Sequence, residues 1–395
     1  MPQIKENFYE NILFKFETCA CDCVTDIEHI APGEEPLTRY KLQAIPNQKI
    51  LFGYAAKKGL VRIASNGTIE ESNILGTLIS LTNPSKTSKD LVTFLKENGF
   101  LFPVTANSYE EFDEQSLYSL INRLKMTVEL MTAANEIHKD YKKIFSLTVS
   151  LLFSSDIQIK TDSMESEYSS CHHAYANLVM NPPTNLSYER QQENFDKDTY
   201  TVQDSIFGSY ELNIQEYNDI SGGYSIIPGF NDQVFKNITA LYLNHCGTDI
   251  TRKITDFLFH YFHEVGMVSF SNGLSYYKEP NMENFNQAMK DALIEIARSI
   301  IGEEINANLD GIHPVYNSET MTPSWKVDSL LCAAYFSIFY LKPDLELYRP
   351  CDNPRCGKYF LVKTTSTKTR YCSSECCNRV TQDRYRKRKR EKEEN

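Results

Sequence analysis

Four cysteines near the C-terminus form two closely spaced pairs. Cys351 and Cys356 enclose the turn-forming dipeptide Asn-Pro, and Cys372 and Cys376 follow after fifteen intervening residues. Thiolates are soft ligands, and four of them match the tetrahedral coordination that zinc prefers. Four protein ligands also leave no open coordination position for water or a substrate. The spacing therefore predicts one structural Zn²⁺ ion and no catalytic metal.

A fifth cysteine, Cys377, competes with Cys376 for the last ligand position. The second pair lies where a helix is expected to begin, with Ser373 or Ser374 as its N-cap. Each helical residue is rotated by about 100° from the previous one, so the two neighbouring cysteines cannot both face the metal. The spacing between Cys372 and Cys376 fits the first helical turn better, and Cys376 is therefore the predicted ligand.

The segment between the two pairs is predicted to return the chain to the metal. Gly357 follows the second cysteine and can adopt a positive φ, which allows backbone N–H groups to point at sulfur. Strand-like residues at Tyr359 to Val362 and at Thr369 to Tyr371 flank a turn at Lys363 to Lys368, which predicts a β-hairpin. A cysteine knuckle, a hairpin and a helix in this order are typical of a treble-clef-like zinc finger.

The residues after the second pair combine a helical pattern with strong positive charge. Seven basic residues lie between Arg384 and Lys392. Basic side chains at three- to four-residue spacing form a stripe that can follow a phosphate backbone, and Asn or Gln can hydrogen-bond to adenine through two atoms. The predicted nucleic-acid-binding residues are Asn378, Arg379, Gln382, Arg384, Arg386, Lys387, Arg388, Lys389 and Arg390.

The net charge of −11 is distributed unevenly along the chain. Residues 351–395 contain 13 Lys and Arg against 6 Asp and Glu, a local charge of +7, whereas residues 1–350 carry −18. An acidic body repels a polyanion, so nucleic-acid contact is predicted only for the C-terminal segment. Two alternatives stay open. The basic tail docks on the acidic body of its own chain, or the finger is a protein-interaction or structural module whose tail docks on an acidic partner.

The last 45 residues resemble the CGNR zinc finger of bacterial proteins, which is named for a run at its last ligand. The matching residues are Cys351, Cys356, Phe360, Arg370, Cys372, Cys376, Asn378 and Arg379. The sequence departs from the pattern at Cys377, where the family name has Gly, at Tyr371, where Trp is usual, and at Leu361-Val362, where an acidic residue often follows Phe. The resemblance implies a DNA-binding transcription regulator, with DNA favoured over RNA as the partner.

The body of about 345 residues that precedes the finger mixes β-rich runs with amphipathic helical patterns. Strand-like runs occur at Lys49 to Tyr54 and at Val61 to Ala64. From Ser108 to about Phe153 apolar residues recur every three to four positions, as in a long helix or a helical hairpin. Further helices are predicted at Asp249 to Val265, Met282 to Asn306 and Thr322 to Tyr340.

Composition divides the chain into three predicted parts. A polar stretch from about Asp156 to Asn194 contains Pro182-Pro183 and is expected to connect two regions. The predicted parts are an N-terminal α+β region at 1–180, a second α+β and helical region at 195–345, and the zinc finger with its basic helix at 350–395. The fold class is therefore α+β, a large mixed body followed by a small treble-clef-like zinc finger and a basic C-terminal helix.

Three other groups of polar side chains receive structural interpretations. Cys19, Cys21 and Cys23 alternate within a strand-like run and would share one face of a strand, where small buried cysteines are commoner than a metal site. The run from His260 to Glu264 has two histidines in an apolar helical pattern but lacks the His-Glu-x-x-His order. Glu303-Glu304 is expected at a solvated helix end.

The sequence contains no phosphate-binding Gly-rich loop, nucleophile elbow or paired acid motif. No catalytic residue is predicted, and the protein is not expected to be an enzyme, although an active site assembled from distant N-terminal residues stays open. No apolar run reaches about 18 residues, and the cysteine distribution fits a reducing compartment. The prediction is a cytoplasmic, bacterial, DNA-binding transcriptional regulator without membrane contact, whose acidic body binds an effector ligand or a protein partner.

Overall fold

The structure is a computed structural model that describes most of the chain. The described residues are 12–28, 37–55, 58–104, 108–161, 168–170, 173–183, 199–202, 205, 207, 210–213, 232–244, 248–266, 268–269, 275–276, 279–318, 321–342, 346–366 and 369–393.

The chain mixes runs of antiparallel strands with runs of helices, as expected for an α+β protein. The strands are β1 Ile12–Glu28, β2 Leu37–Ala55, β3 Gly59–Ile63, β4 Ile69–Glu71, β5 Glu110–Phe112, β6 Gln158–Ile159, β7 Tyr168–Ser169, β8 Thr199–Val202, β9 Tyr210–Asn213, β10 Val268–Ser269, β11 Ser275–Tyr276, β12 Ile312–Asn317, β13 Thr322–Val327, β14 Glu346–Pro350 and β15 Tyr359–Lys363. The helices are α1 Ile74–Ser80, α2 Ser88–Asn98, α3 Glu114–Asn135, α4 Tyr141–Leu152, α5 Ala174–Met180, α6 Asp232–Asn244, α7 Asp249–His260, α8 Gln287–Ala307, α9 Leu330–Phe339 and α10 Ser374–Glu393. A π-helical turn, Tyr261–Val265, continues α7.

The chain forms two compact units, and the zinc finger segment belongs to the same unit as the N-terminal sheet. Unit 1 comprises Met1–Asn135, Ile157–Ser170 and Glu304–Asn395, and unit 2 comprises Glu136–Asp156 and Cys171–Glu303. Unit 1 is thus assembled from separate stretches of the chain. The division into 1–180, 195–345 and 350–395, which follows the sequence, stays a prediction.

An antiparallel sheet organises unit 1. Its strands follow the order β1-β2-β3-β4, and the short β5 pairs with β2. The long β1 and β2 pair over most of their length, and the side chains of Phe14, Phe16 and Phe52 are buried on the sheet. Rings of Phe16 and Phe52 stack with centroids 5.2 Å apart. Aromatic pairs between neighbouring strands fix the register of the sheet, because a shift by one residue exposes the whole apolar face.

A register shift between β1 and β2 separates the three alternating cysteines. Cys19 pairs with Lys49 and Cys21 with Ala44, so β2 contributes three more residues than β1 across this interval and the ladder is irregular there. Cys19 is exposed, whereas Cys21 and Cys23 are buried. The expectation that all three share one face is therefore wrong, because strict alternation does not persist across the irregularity. Burial of Cys21 and Cys23 raises the pKa of each thiol to about 12, so both behave as small apolar core residues.

The buried helix α9 covers the sheet of unit 1. Ser329 caps its N-terminus by accepting a hydrogen bond from the Cys332 amide at 3.1 Å. Phe336 of this helix contacts Phe14 of β1, with ring centroids 4.8 Å apart, and Trp325 of β13 at 5.4 Å. The predicted helix from Thr322 to Tyr340 is thus too long. Its first part is the strand β13, which pairs with β12 across a turn, and only Leu330–Phe339 is helical.

Within unit 1, a buried ion pair joins α3 to the C-terminal end of α8. Arg123 of α3 and Glu304 of α8 approach to 2.7 Å, and their side chains are 4% and 1% exposed. The guanidinium donates from Nε and Nη2 to the carboxylate, the bidentate geometry that compensates best for burying both charges. The expectation of a solvated Glu303-Glu304 is wrong for Glu304, because the arginine partner lies 181 residues away in the sequence.

Unit 2 is organised by helices with aromatic packing. The rings of Phe145 and Tyr261 stack with centroids 3.9 Å apart, and those of Tyr242 and Phe259 stack at 4.0 Å. Among the described residues, no helix is long and apolar enough to cross a membrane.

The buried imidazole of His260 is held by hydrogen bonds within unit 2. Its Nδ1 lies 2.8 Å from Glu264, and its Nε2 lies 3.2 Å from the Tyr242 hydroxyl and 3.4 Å from Asp256. Burial lowers the pKa of His260, but the hydrogen bonds to Asp256 and Glu264 outweigh burial and raise it. These contacts support the structural interpretation of the run from His260 to Glu264.

Candidate metal centre and nucleic-acid interface

The side chains of Cys351, Cys356, Cys372 and Cys376 converge on one point. Their sulfur atoms all lie within 4.8 Å of one another. The Cys356 and Cys372 sulfurs are 3.6 Å apart, and so are those of Cys372 and Cys376. Four sulfurs at about 2.3 Å from a tetrahedral zinc ion are separated from each other by about 3.8 Å. The four cysteines therefore form a zinc-binding site, as the sequence predicts.

The first pair lies in a knuckle between two paired strands. Strand β14 ends at Pro350, directly before Cys351, and pairs antiparallel with β15, which begins at Tyr359. Asn353 accepts a hydrogen bond from the Arg355 amide through its side chain, and its carbonyl accepts one from the Cys356 amide at 2.9 Å. This tight Asx turn brings the two thiols of the pair to the same side of the loop.

Gly357 adopts the positive φ that the sequence predicts, with φ of 58°. The predicted hairpin within the finger is nevertheless wrong in its pairing. Residues 369–371 are not in a strand, and β15 pairs instead with β14, upstream of the first cysteine. The Asp352 amide donates to the Arg370 carbonyl at 2.9 Å, which returns the chain to the metal without a second strand. Lys368 of the predicted turn lies outside the described residues.

The second pair lies at the start of α10. Ser373 is the N-cap, because its hydroxyl accepts a hydrogen bond from the Cys376 amide at 3.3 Å. Cys372 precedes the helix, and its amide donates to the Cys351 sulfur at 3.4 Å. Cys376 is a member of the cysteine cluster, whereas Cys377 is not. The prediction of Cys376 as the fourth ligand is confirmed.

The neighbouring thiols perturb one another. Burial raises the pKa of Cys356, and burial together with the adjacent thiols raises that of Cys372 well above its usual range. Burial also opposes deprotonation of Cys376, but hydrogen bonds from Asn353 and Ser373 outweigh it and lower the pKa to about 7. A zinc ion supplies the positive charge that allows all four thiols to lose their protons.

The knuckle is hydrogen-bonded to the N-terminal part of unit 1. The side-chain amides of Asn73 and Asn83 donate to the carbonyls of Tyr359 and Gly357, both at 2.6 Å. The Tyr359 amide in turn donates to the Ser80 hydroxyl at 3.0 Å. These contacts satisfy backbone groups on both sides of the second cysteine, so the orientation of the zinc site is fixed relative to α1.

Two tyrosines anchor the knuckle strands against α3. Tyr348 is buried, and its carbonyl accepts a hydrogen bond from the Thr132 hydroxyl at 3.0 Å. The Tyr359 hydroxyl donates to Glu129, and the Lys125 ammonium lies 5.7 Å from the centre of the Tyr359 ring. Burial, followed by the charge of Glu129, raises the pKa of Tyr359, so the phenol stays protonated as a donor. These partners could not be identified from the sequence, because no local pattern links them to the finger.

Replacing Gly76 with alanine tests the docking of the knuckle. A Cβ at this position of α1 overlaps the Tyr359 carbonyl oxygen and the Asn73 side-chain amide. We expect the free energy of unfolding in urea to fall by about 1–3 kcal/mol, as for other overpacked sites. Gly302→Ala in α8 is the matched control, since its Cβ meets nothing within 4 Å. The control should gain roughly 0.5–1 kcal/mol from helix propensity. If the two substitutions change the free energy of unfolding equally, the packing of the knuckle against α1 is contradicted.

The basic helix α10 projects its charged residues into solvent. Asn378 and Arg379 are exposed, and so is every residue from Thr381 to Arg390, whereas Cys376 and Val380 on the inner face are buried. All nine predicted nucleic-acid-binding residues are thus on the surface. Asp383 lies 3.6 Å from Arg355 of the knuckle and 3.8 Å from Arg386. The ion pair between Arg355 and Asp383 joins the middle of the helix to the knuckle.

Comparison with known protein families gives a match, which lies in the C-terminal segment that holds the zinc site. Residues 348–389 match the family model of the CGNR zinc finger, and this stretch contains all four clustered cysteines and most of α10. No curated protein and no solved structure matches the chain. By this match, the C-terminal segment, residues 348–389, is similar to the CGNR zinc finger.

Proposed function

We propose that this protein binds nucleic acid through α10 and acts as a bacterial DNA-binding transcriptional regulator. The observation that carries the proposal is a zinc-anchored helix whose basic residues from Arg379 to Arg390 face solvent. A helix that packed against the acidic part of the same chain would bury more of these side chains. The exposure from Thr381 to Arg390 therefore favours an external polyanion over docking within the chain.

Zinc supplies the orientation in the proposed mechanism. Cys372 and Cys376 fix the first turn of α10 to the knuckle, and the knuckle is fixed to α1 and α3. Arg386 and Arg390 are four residues apart, so they lie on one helix face and can contact neighbouring phosphates. Asn378 and Gln382 are the side chains on the exposed surface that can hydrogen-bond to a base edge.

The regulatory part of the proposal concerns the remainder of the chain. We propose that residues 1–350, which carry the negative charge, bind an effector ligand or a protein partner. That the protein is not an enzyme stays a prediction. A cytoplasmic location belongs to the same proposal, because four reduced thiols are needed to hold zinc. The alternative function is a zinc-stabilised interaction module whose basic tail binds an acidic protein.

Fluorescence anisotropy tests the proposal directly. The zinc-loaded full chain is titrated into labelled random duplex DNA and into labelled single-stranded RNA, each at 50 mM and 200 mM salt. We expect submicromolar to micromolar binding at low salt and a fall of about 10³-fold or more at high salt if six or more phosphates are contacted. Tighter binding to the duplex supports DNA as the partner, and tighter binding to the single strand replaces it with RNA. Absence of binding to both at low salt would reject the proposal in favour of the interaction module.

A further inference from the structure

A groove of about 550 Å³ lies beside the zinc knuckle within unit 1. One wall is α2 with the turn before it, and the other is the knuckle with the first turn of α10. We call it the knuckle groove. Its charged lining residues are the basic Lys86, Lys89, Arg355, Lys358 and Arg379 and the acidic Asp90 and Glu97. The groove is therefore positively charged, although the chain as a whole is acidic.

The basic residues of the groove differ in how far they are already compensated. Lys86 pairs with Asp90 at 2.9 Å, and Arg355 pairs with Asp383. Lys89, Lys358 and Arg379 have no carboxylate partner within the part of the chain that the structure describes. Lys89 belongs to α2, whereas the other two belong to the finger. Three uncompensated cations thus line one groove from both walls.

Neutralisation of the zinc centre accounts for only part of this charge. Four thiolates and one Zn²⁺ carry a formal charge of −2, and Cys356 and Cys376 line the groove. The finger segment also contains Lys363 and Arg370, which do not line the groove. Lys89 lies on a separate helix, outside the zinc finger. Lys89 therefore adds to the groove lining a cation that the zinc finger does not supply.

We propose that the knuckle groove binds a phosphate ester, held by Lys89 from one wall and by Lys358 and Arg379 from the other. A phosphate carries up to two charges and several acceptor oxygens, so it can bridge cations on facing walls better than a single carboxylate. The volume is typical of a small-molecule site and is large enough for a mononucleotide.

The phosphate can have two sources. Arg379 also belongs to the predicted nucleic-acid-binding surface, so the groove can hold a backbone phosphate of a strand bound by α10. In that form the inference rests on the proposed function. Alternatively, the groove holds a small phosphorylated ligand, which does not require α10 to bind nucleic acid. Either ligand contacts α2 and the finger at once and is expected to stabilise their packing against each other.

The test compares two lysines of the same helix. Lys89→Ala removes a groove cation, and Lys96→Ala removes a lysine of α2 that pairs with Asp22 and does not line the groove. A double variant, Lys89→Ala with Lys358→Ala, removes one cation from each wall. Zinc content and melting temperature are measured first for each zinc-loaded full-length protein. Binding of inorganic phosphate and adenosine monophosphate is then measured by calorimetry, and binding of random duplex DNA by anisotropy over a salt series.

Each outcome identifies the source or rejects the site. Loss of about tenfold in adenosine monophosphate affinity for Lys89→Ala, with Lys96→Ala unchanged, establishes a small-ligand site. A salt slope for duplex DNA that falls by about 1 for Lys89→Ala and about 2 for the double variant establishes a backbone site. If the wild-type protein binds adenosine monophosphate but not duplex DNA, the proposed function is rejected and the phosphate site in the knuckle groove is supported. The phosphate site is rejected if the double variant binds all probes as the wild type does, or if the wild type binds none of them.

Discussion

Arg386→Ala combined with Arg390→Ala is expected to weaken binding to random duplex DNA and to flatten its dependence on salt. Each phosphate contact that is lost lowers the slope of log affinity against log salt by about 0.9, so the double variant should lose about 1.8. Both residues are exposed on α10, and their removal leaves the zinc ligands intact. The measurement is an anisotropy titration at four or more salt concentrations, with the wild type measured in parallel.

Net charge requires a control, because any loss of two positive charges weakens attraction to a polyanion. Arg39→Ala combined with Arg298→Ala removes the same charge from outside the finger. This control is expected to change the affinity slightly and the slope by less than half as much as the α10 variant. If both double variants lower the slope equally, the helix is not the contact surface, and the alternative of a tail that binds a protein gains support.

The adjacent pair Cys376 and Cys377 offers the sharpest test of the metal centre. Cys376→Ser is expected to lose the bound zinc ion, whereas Cys377→Ser should retain one equivalent, because only Cys376 belongs to the cluster. Structural zinc contributes on the order of 10 kcal/mol to the folding of isolated fingers. Loss of the ion should therefore abolish ordered α10 orientation and reduce nucleic-acid binding to the level of the unstructured basic segment.

Zinc content is measured by a colorimetric chelator after unfolding, and nucleic-acid binding by anisotropy with and without added chelator. Both substitutions change one sulfur to oxygen at neighbouring positions, so differences in expression or solubility are controlled. Zinc retained by Cys376→Ser and lost by Cys377→Ser would reverse the ligand assignment. Retention by both variants would show that the fourth ligand lies elsewhere.

The zinc ligands were predictable from the sequence because their chemistry is local. Two cysteine pairs, the Asn-Pro turn and the serine N-cap define the site within about 26 residues. The secondary structure around it was less predictable. The apolar run before the finger correctly indicated α9, but the preceding residues Thr322–Val327 pair as a strand with β12. A strand is determined by its partner, and local periodicity does not contain that information.

The contacts between distant parts of the chain could not be predicted from the sequence. The hydrogen bond from Asn73 to Tyr359 joins residues 286 positions apart, and the one from Asn83 to Gly357 spans 274. Glu304 has the sequence context of a solvated helix end, but its side chain is buried in an ion pair with Arg123. In each case a polar residue that is unremarkable in its local context acquires its role from a distant segment. The pairing of β15 with β14, and not with residues 369–371 as predicted, likewise depends on a segment outside the local sequence pattern.

The anchoring of Tyr348 and Tyr359 on α1 and α3 has a consequence for how the chain acquires its structure during synthesis. Helix α3 ends at Asn135, and its partner Tyr348 is 213 residues downstream. At roughly 5–20 residues per second, the ribosome adds that stretch in about 10–40 s. Throughout this interval the sites for the tyrosines on α1 and α3 lack the residues that cover them, while the inserted segment 171–303 is already being completed. Unit 1 therefore closes late in translation, and the faces of α1 and α3 that receive the tyrosines stay uncovered until then.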